Sequence, residues 1–97
     1  MNKLEISEIQ IVPVKPQNGL LGFASAILND QFYISNIAIY SSPSSMEGYR
    51  LVYPDKVLSN GKRVNCFHPI TKEAGELVTS AIIKKYMELM NNFYNVY

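Results

Sequence analysis

Residues 20–40 read LLGFASAILNDQFYISNIAIY, which is two apolar segments on either side of a short polar turn. Both segments alternate with the two-residue period of a strand, and the short turn between them predicts antiparallel pairing. In the second segment, strict alternation predicts that Ile34 and Ile37 point to opposite faces. One face of the first segment carries only small residues, which allow another element to approach closely: Gly22, Ala24 and Ala26.

Three further segments extend this pair into a predicted antiparallel sheet of four to five strands. They are Ile9–Val14, Tyr49–Tyr53 and Arg63–Phe67. Pro13 places the first of these at a sheet edge or at a bulge, because proline cannot donate to a central ladder. The last returns after a loop at Asp55–Lys62, so Pro54–Phe67 is predicted to form a hairpin arm.

After residue 70 the apolar period changes to that of a helix, which predicts one long C-terminal helix. Thr71 is a suitable N-cap. The apolar stripe of this helix consists of Val78, Ala81, Ile82, Tyr86, Leu89 and Phe93. Residues from about 91 to 97 are predicted to fray. The fold class is therefore α+β, a single domain over residues 1–97 with the helix on one face of the sheet.

Composition limits the kinds of partner. The hydrophobic fraction of 47% and the charged fraction of 18% are ordinary for a globular domain. A net charge of +1 means that any nucleic-acid binding would depend on a local basic patch. The N-terminal residues lack the apolar run of a signal peptide, and no segment approaches the length of a membrane span. We expect a cytoplasmic protein with no membrane partner and no small-molecule substrate.

The sequence contains no convincing catalytic constellation. Cys66 is the only cysteine and His68 the only histidine, so an intrachain disulfide is impossible and a zinc site would need three further ligands. As a nucleophile and base, this pair would lack a third orienting group. We expect Cys66 to be a small buried apolar residue and His68 to form a hydrogen bond where the last strand meets the helix. No enzyme activity and no cofactor are predicted.

Five of the nine basic residues lie within 23 positions, where Asp55 is the only acid between Glu47 and Glu73. They are Arg50, Lys56, Lys62, Arg63 and Lys72. Two interpretations stay open for this segment. It is either an ordinary solvated hairpin or an arm that contacts phosphates, in which case these five residues would form a nucleic-acid-binding surface.

Seven tyrosines are many for 97 residues. Tyrosine is common on sheet surfaces and at interfaces, so core or dimer packing explains them simply. Stacking on nucleobases is the alternative. Because a single helix covers only one face of a small sheet and leaves its edges open, we expect a homodimer through sheet edges.

Four segments resemble one known family, the SpoVG proteins, named for stage V sporulation protein G. They are Ile34–Ile39, Leu51–Lys56, Asn60-Gly61 and Phe67–Ile70, and the resemblance covers about residues 5 to 90. From Pro54 to Ile70, the spacing of these segments matches that of the family without a gap. The resemblance implies a small α+β protein that dimerises through its sheet and binds DNA or RNA. Members of the family act as regulators of septation, sporulation or virulence gene expression.

The chain also departs from the family pattern in its charges. Basic residues that are usual in the family are replaced here at Ala38, Val57 and Gly75, and Val64-Asn65 replaces a basic-acidic pair. Conversely, Lys62, Arg63 and Lys72 are basic where the family often is not. The leading hypothesis is a homodimeric nucleic-acid-binding regulator. The alternative is a protein-interaction module of the same fold with little or no nucleic-acid binding.

Overall fold

The computed structural model describes residues 3–45 and 48–94. Four antiparallel strands form one sheet in the order β1-β2-β3-β4, and β5 and β6 form a separate two-stranded ribbon. A single helix follows, which confirms the predicted α+β class. The bounds are β1 Ile6–Gln17, β2 Leu20–Leu28, β3 Phe32–Ser41, β4 Tyr49–Val52, β5 Asp55–Val57, β6 Arg63–Asn65 and α1 Lys72–Tyr94.

The strict alternation predicted for β3 is wrong, because the strand contains a bulge. Asn36 has a φ of +62°, and the pairing with β2 shifts register between Ala24 and Ala26. One extra residue in β3 therefore brings Ile34 to the same face as Ile37, and both pack into the core. Asparagine tolerates this left-handed backbone conformation better than most residues.

A second bulge lies in β1, which starts three residues earlier than predicted. Glu8 has a φ of +51°, and the register with β2 shifts between Ser7 and Gln10. Ile6 and Ile9 consequently both pack against the core. In a regular strand, their spacing of three residues would place them on opposite faces. β1 is an edge strand, as Pro13 indicates.

The core forms where α1 lies across the sheet. Ile37 and Ile39 from β3 meet Ile82 and Ile83 from the helix, and all four side chains are fully buried. Tyr86 packs edge-on against Tyr49 of β4, with ring centroids 5.6 Å apart. The predicted stripe is buried or half-buried from Val78 to Leu89, but it omitted Ile83; the side chain of Phe93 lies outside the described residues.

The two ends of the helix are compared with the predicted cap and the predicted fraying in turn. Thr71 caps the N-terminus as predicted, because its Oγ1 accepts a hydrogen bond of 3.1 Å from the backbone N–H of Ala74. At the other end, α1 runs to Tyr94, and the fraying expected for residues 91–97 stays a prediction. Residues 95–97 of the predicted tail lie outside the described residues. Within the described ranges, no helix is long and apolar enough to cross a membrane.

Candidate nucleic-acid interface

The predicted hairpin arm is present as the β5-β6 ribbon, although β5 lies in the segment expected to be loop. Asn60 and Gly61 form its tip, where Gly61 adopts a φ of +86°. The backbone N–H of Leu58 donates to the Lys62 carbonyl at 2.7 Å, and the Asn60 side chain accepts from the Lys62 N–H at 3.0 Å. The tip is therefore ordered by its own hydrogen bonds, and it presents Lys62 to solvent.

Every residue of β5 and β6 is exposed. Cys66 directly follows β6 and is exposed as well, so the prediction of a buried cysteine is wrong. The predicted strand was also too long, since β6 ends at Asn65 and Phe67 instead packs edge-on against Tyr53 at 5.9 Å. An exposed ribbon can reach a large ligand without any change in the core.

Arg63 is held by an acid of the same ribbon. Its Nε lies 2.8 Å and its Nη2 3.0 Å from the two carboxylate oxygens of Asp55. Because Arg63 donates these hydrogen bonds to the Asp55 carboxylate, the pKa of Asp55 is lowered and the pKa of Arg63 is raised. Because the pair is mutually neutralised, Arg63 contributes less positive charge to the arm than the sequence suggests.

Lys56 and Lys62 have no ion-pair partner among residues 3–45 and 48–94, and both are exposed on the ribbon. Arg50 lies instead on β4, where its guanidinium sits 4.9 Å from the centre of the Tyr40 ring. Lys72 is the first residue of the helix. The structure therefore brings Lys56, Lys62 and Arg63 together on one ribbon, but it places Arg50 and Lys72 in different layers.

The junction between ribbon and helix holds the single histidine. Nδ1 of His68 lies 3.0 Å from the Pro69 carbonyl oxygen, which can only accept, so this nitrogen donates the proton. This agrees with the predicted hydrogen bond at the junction. No group of three potential metal ligands occurs in the described part of the chain.

Sequence reasoning missed an open apolar cleft of about 380 Å³ beside this junction. Tyr53, Phe67, Ile70 and Val78 are among its lining residues. The Tyr53 hydroxyl is buried and has no hydrogen-bond partner among the described residues, and burial raises its pKa to about 12. Tyr53 was predicted only as the end of a strand, and nothing in the local sequence indicates that its hydroxyl is desolvated.

Comparison with known proteins supports the resemblance found in the motifs. The sequence model of the SpoVG family matches residues 4–88. The chain belongs to the SpoVG family. A SpoVG protein of Treponema denticola is 32% identical over 83 residues, covering 86% of both chains. SpoVG proteins of Finegoldia magna and Archaeoglobus fulgidus are 28% and 24% identical, over 88% and 87% of this chain and 76% and 95% of their own. All three are named as septation proteins.

Proposed function

We propose that this SpoVG protein is a homodimeric regulator that binds DNA or RNA through the β5-β6 ribbon. The observation that carries the proposal is the exposed position of Lys56 and Lys62 on a ribbon whose strand residues are all exposed. Lysine ammonium groups bind phosphate as compact charges that need no defined orientation. The SpoVG relatives, named for septation, support a regulatory rather than a catalytic role.

A binding titration at low and at physiological salt tests this proposal. Single-stranded and duplex probes should both bind more weakly as salt rises, because released counterions drive phosphate binding. Lys56→Ala and Lys62→Ala should each flatten the plot of log affinity against log salt by about 0.9 for duplex DNA. They should weaken all probe sequences similarly. Lys84→Ala is a matched control, since Lys84 is an exposed lysine that belongs to the helix and not to the ribbon. A wild-type protein that binds no probe at low salt would contradict the proposal.

The homodimer is proposed through the free edge of β4. β1 also has a free edge, but this edge is poorly suited to pairing. Pro13 and Pro16 lack backbone N–H groups, and a β-bulge at Glu8 interrupts the strand. β4 contains no proline and lies at the opposite edge. Light scattering at micromolar concentration should report twice the chain mass of 11.0 kDa. A species of 11.0 kDa alone would reject the dimer.

One observation favours the second candidate, a protein-interaction module of the same fold. Ile70 is 89% exposed at the rim of the apolar cleft, and Phe32 on the same cleft is 69% exposed. Large exposed apolar residues that lie together commonly mark protein contacts. This candidate becomes the better one if the titration above shows no binding to any probe.

A further inference from the structure

The face of the sheet opposite the helix carries an apolar row that crosses all four strands. Ile39 and Leu51 belong to the face that packs on α1, so their neighbours along β3 and β4 point away from the helix. Register places one residue of each strand in that outer row: Val12, Phe23, Ala38 and Val52. The adjacent row contains Leu20, Tyr40 and Arg50. Val12 is 64% and Phe23 38% exposed, so this face is open.

Two aromatic rings and one guanidinium lie close together on this outer face. Phe23 pairs with Ala38, and Tyr40 follows Ala38 by two residues, so Phe23 and Tyr40 are same-face diagonal neighbours. Such neighbours are about 7–8 Å apart. Arg50 is exposed above the Tyr40 ring, at 4.9 Å from its centre. Aromatic rings and guanidinium planes on an open sheet face are suitable surfaces for stacking unpaired bases.

Charge on the two rows is complementary to a polyanion. Their seven residues include one cation, Arg50, and no carboxylate. β4 ends at Val52 and β5 begins at Asp55, so the ribbon with its lysines follows directly from this face. A strand whose bases lie on the rings would have cationic partners for its phosphates both on the face and on the ribbon.

We propose that Phe23, Tyr40 and Arg50 form a base-stacking platform, and that the ligand of this protein is single-stranded nucleic acid. This inference rests on the proposed function and names its ligand class. In a duplex the bases stack on one another and do not offer their faces to a protein, so the platform requires unpaired bases. The lysines of the ribbon then hold the backbone, while the platform holds the bases.

The test compares probes that share phosphates but differ in bases. The full chain is titrated with a labelled oligothymidylate of about 12 nucleotides, within the usual site sizes. An abasic backbone of equal length and a duplex are titrated in parallel. Phe23→Leu keeps an apolar side chain but removes the ring, so it should weaken oligothymidylate binding by about 5-fold or more. It should leave abasic binding and the salt slope unchanged, and Phe23→Tyr should retain the wild-type affinity.

Phe32→Leu is the matched control, because Phe32 is equally aromatic and 69% exposed but lies at the cleft on the helix side. It should bind every probe like the wild type. If the abasic backbone binds as tightly as oligothymidylate, or Phe23→Leu binds normally, the platform is wrong and the phosphate-binding ribbon stands. If no probe binds at low salt, both proposals fail. If Phe23→Leu converts a dimer to monomers and weakens all probes equally, the outer face is instead an interface between copies.

Discussion

Replacing Asp55 by Asn should strengthen nucleic-acid binding if the ribbon contacts phosphates. In the wild type, Arg63 donates to both oxygens of the Asp55 carboxylate, at 2.8 and 3.0 Å. Asparagine has nearly the same size but no charge, so the guanidinium loses its counterion and becomes available to a phosphate. The pair is exposed, and we expect the fold to be retained.

The size of the effect follows from one additional cation on the ribbon. One more phosphate contact per protomer should steepen the slope of log affinity against log salt by about 0.9 for duplex DNA and about 0.7 for a single strand. Between about 50 and 200 mM salt, the duplex value corresponds to a further 3- to 4-fold loss of affinity. Lys62→Ala should change the slope by a similar amount in the opposite direction.

Fluorescence anisotropy across a salt series measures these slopes, and Asp30→Asn is the matched control. Asp30 is exposed in the turn between β2 and β3, and its replacement changes the net charge from +1 to +2, as Asp55→Asn does. Asparagine also tolerates the φ of +56° at this position. Equal slopes in the two variants would mean that only net charge matters. An unchanged slope in Asp55→Asn would refute the assignment of Arg63 to the interface.

Three further predictions concern stability. Ile82→Ala should lower the free energy of unfolding by about 2–5 kcal/mol, because Ile82 is fully buried, whereas Ile70→Ala at 89% exposure should cost less than about 0.5 kcal/mol in the same denaturant titration. Tyr53→Phe should raise stability by about 1 kcal/mol, because it removes a buried hydroxyl without a partner among the described residues. Since the folded pKa of Tyr53 is raised from 10.0 to about 12, wild-type stability should fall as pH rises through that interval, and Tyr53→Phe should lose this part of the fall. Gly22→Ala should lower the melting temperature, because a Cβ there would lie 2.8 Å from the Val12 carbonyl oxygen.

The parts of the fold that sequence predicted are those with local signals. The bounds of β2 agree with the structure because turn residues flank both ends, and Thr71 marks the start of the helix through its own side chain. The alternation in β3 could not be predicted, because the bulge at Asn36 arises from pairing with β2 rather than from a local motif. The exposure of Cys66 depends on what packs over the ribbon, which is a tertiary property.

The sequence predicted that basic residues cluster along the chain, but not which of them lie together in space. The pairing of Arg63 with Asp55 had a signal in the sequence, because a hairpin centred on the Asn60-Gly61 tip brings the two strands together. In the observed register Val57 pairs with Arg63, so Asp55 and Arg63 are same-face diagonal neighbours. By contrast, the separation of Arg50 from Lys72 depends on which face of the sheet the helix covers. Charge counts along a sequence therefore overestimate how many cations reach one ligand.

This reduced count bears on how the protein would obtain affinity. Lys56, Lys62 and Arg50 remain as cations available on the ribbon and the outer face, since Arg63 is paired with Asp55 and Lys72 starts the helix on the other side. Even if all three contacted phosphates, the salt slope would be only about −2 per protomer for a single strand, which alone supports weak binding. Contacts that do not release counterions would have to supply the rest, and base stacking on Phe23 and Tyr40 is such a contact. A measured affinity that is high while its salt slope stays shallow would therefore favour the platform over a purely electrostatic ribbon, whereas a slope much steeper than −2 would require cations outside these two surfaces.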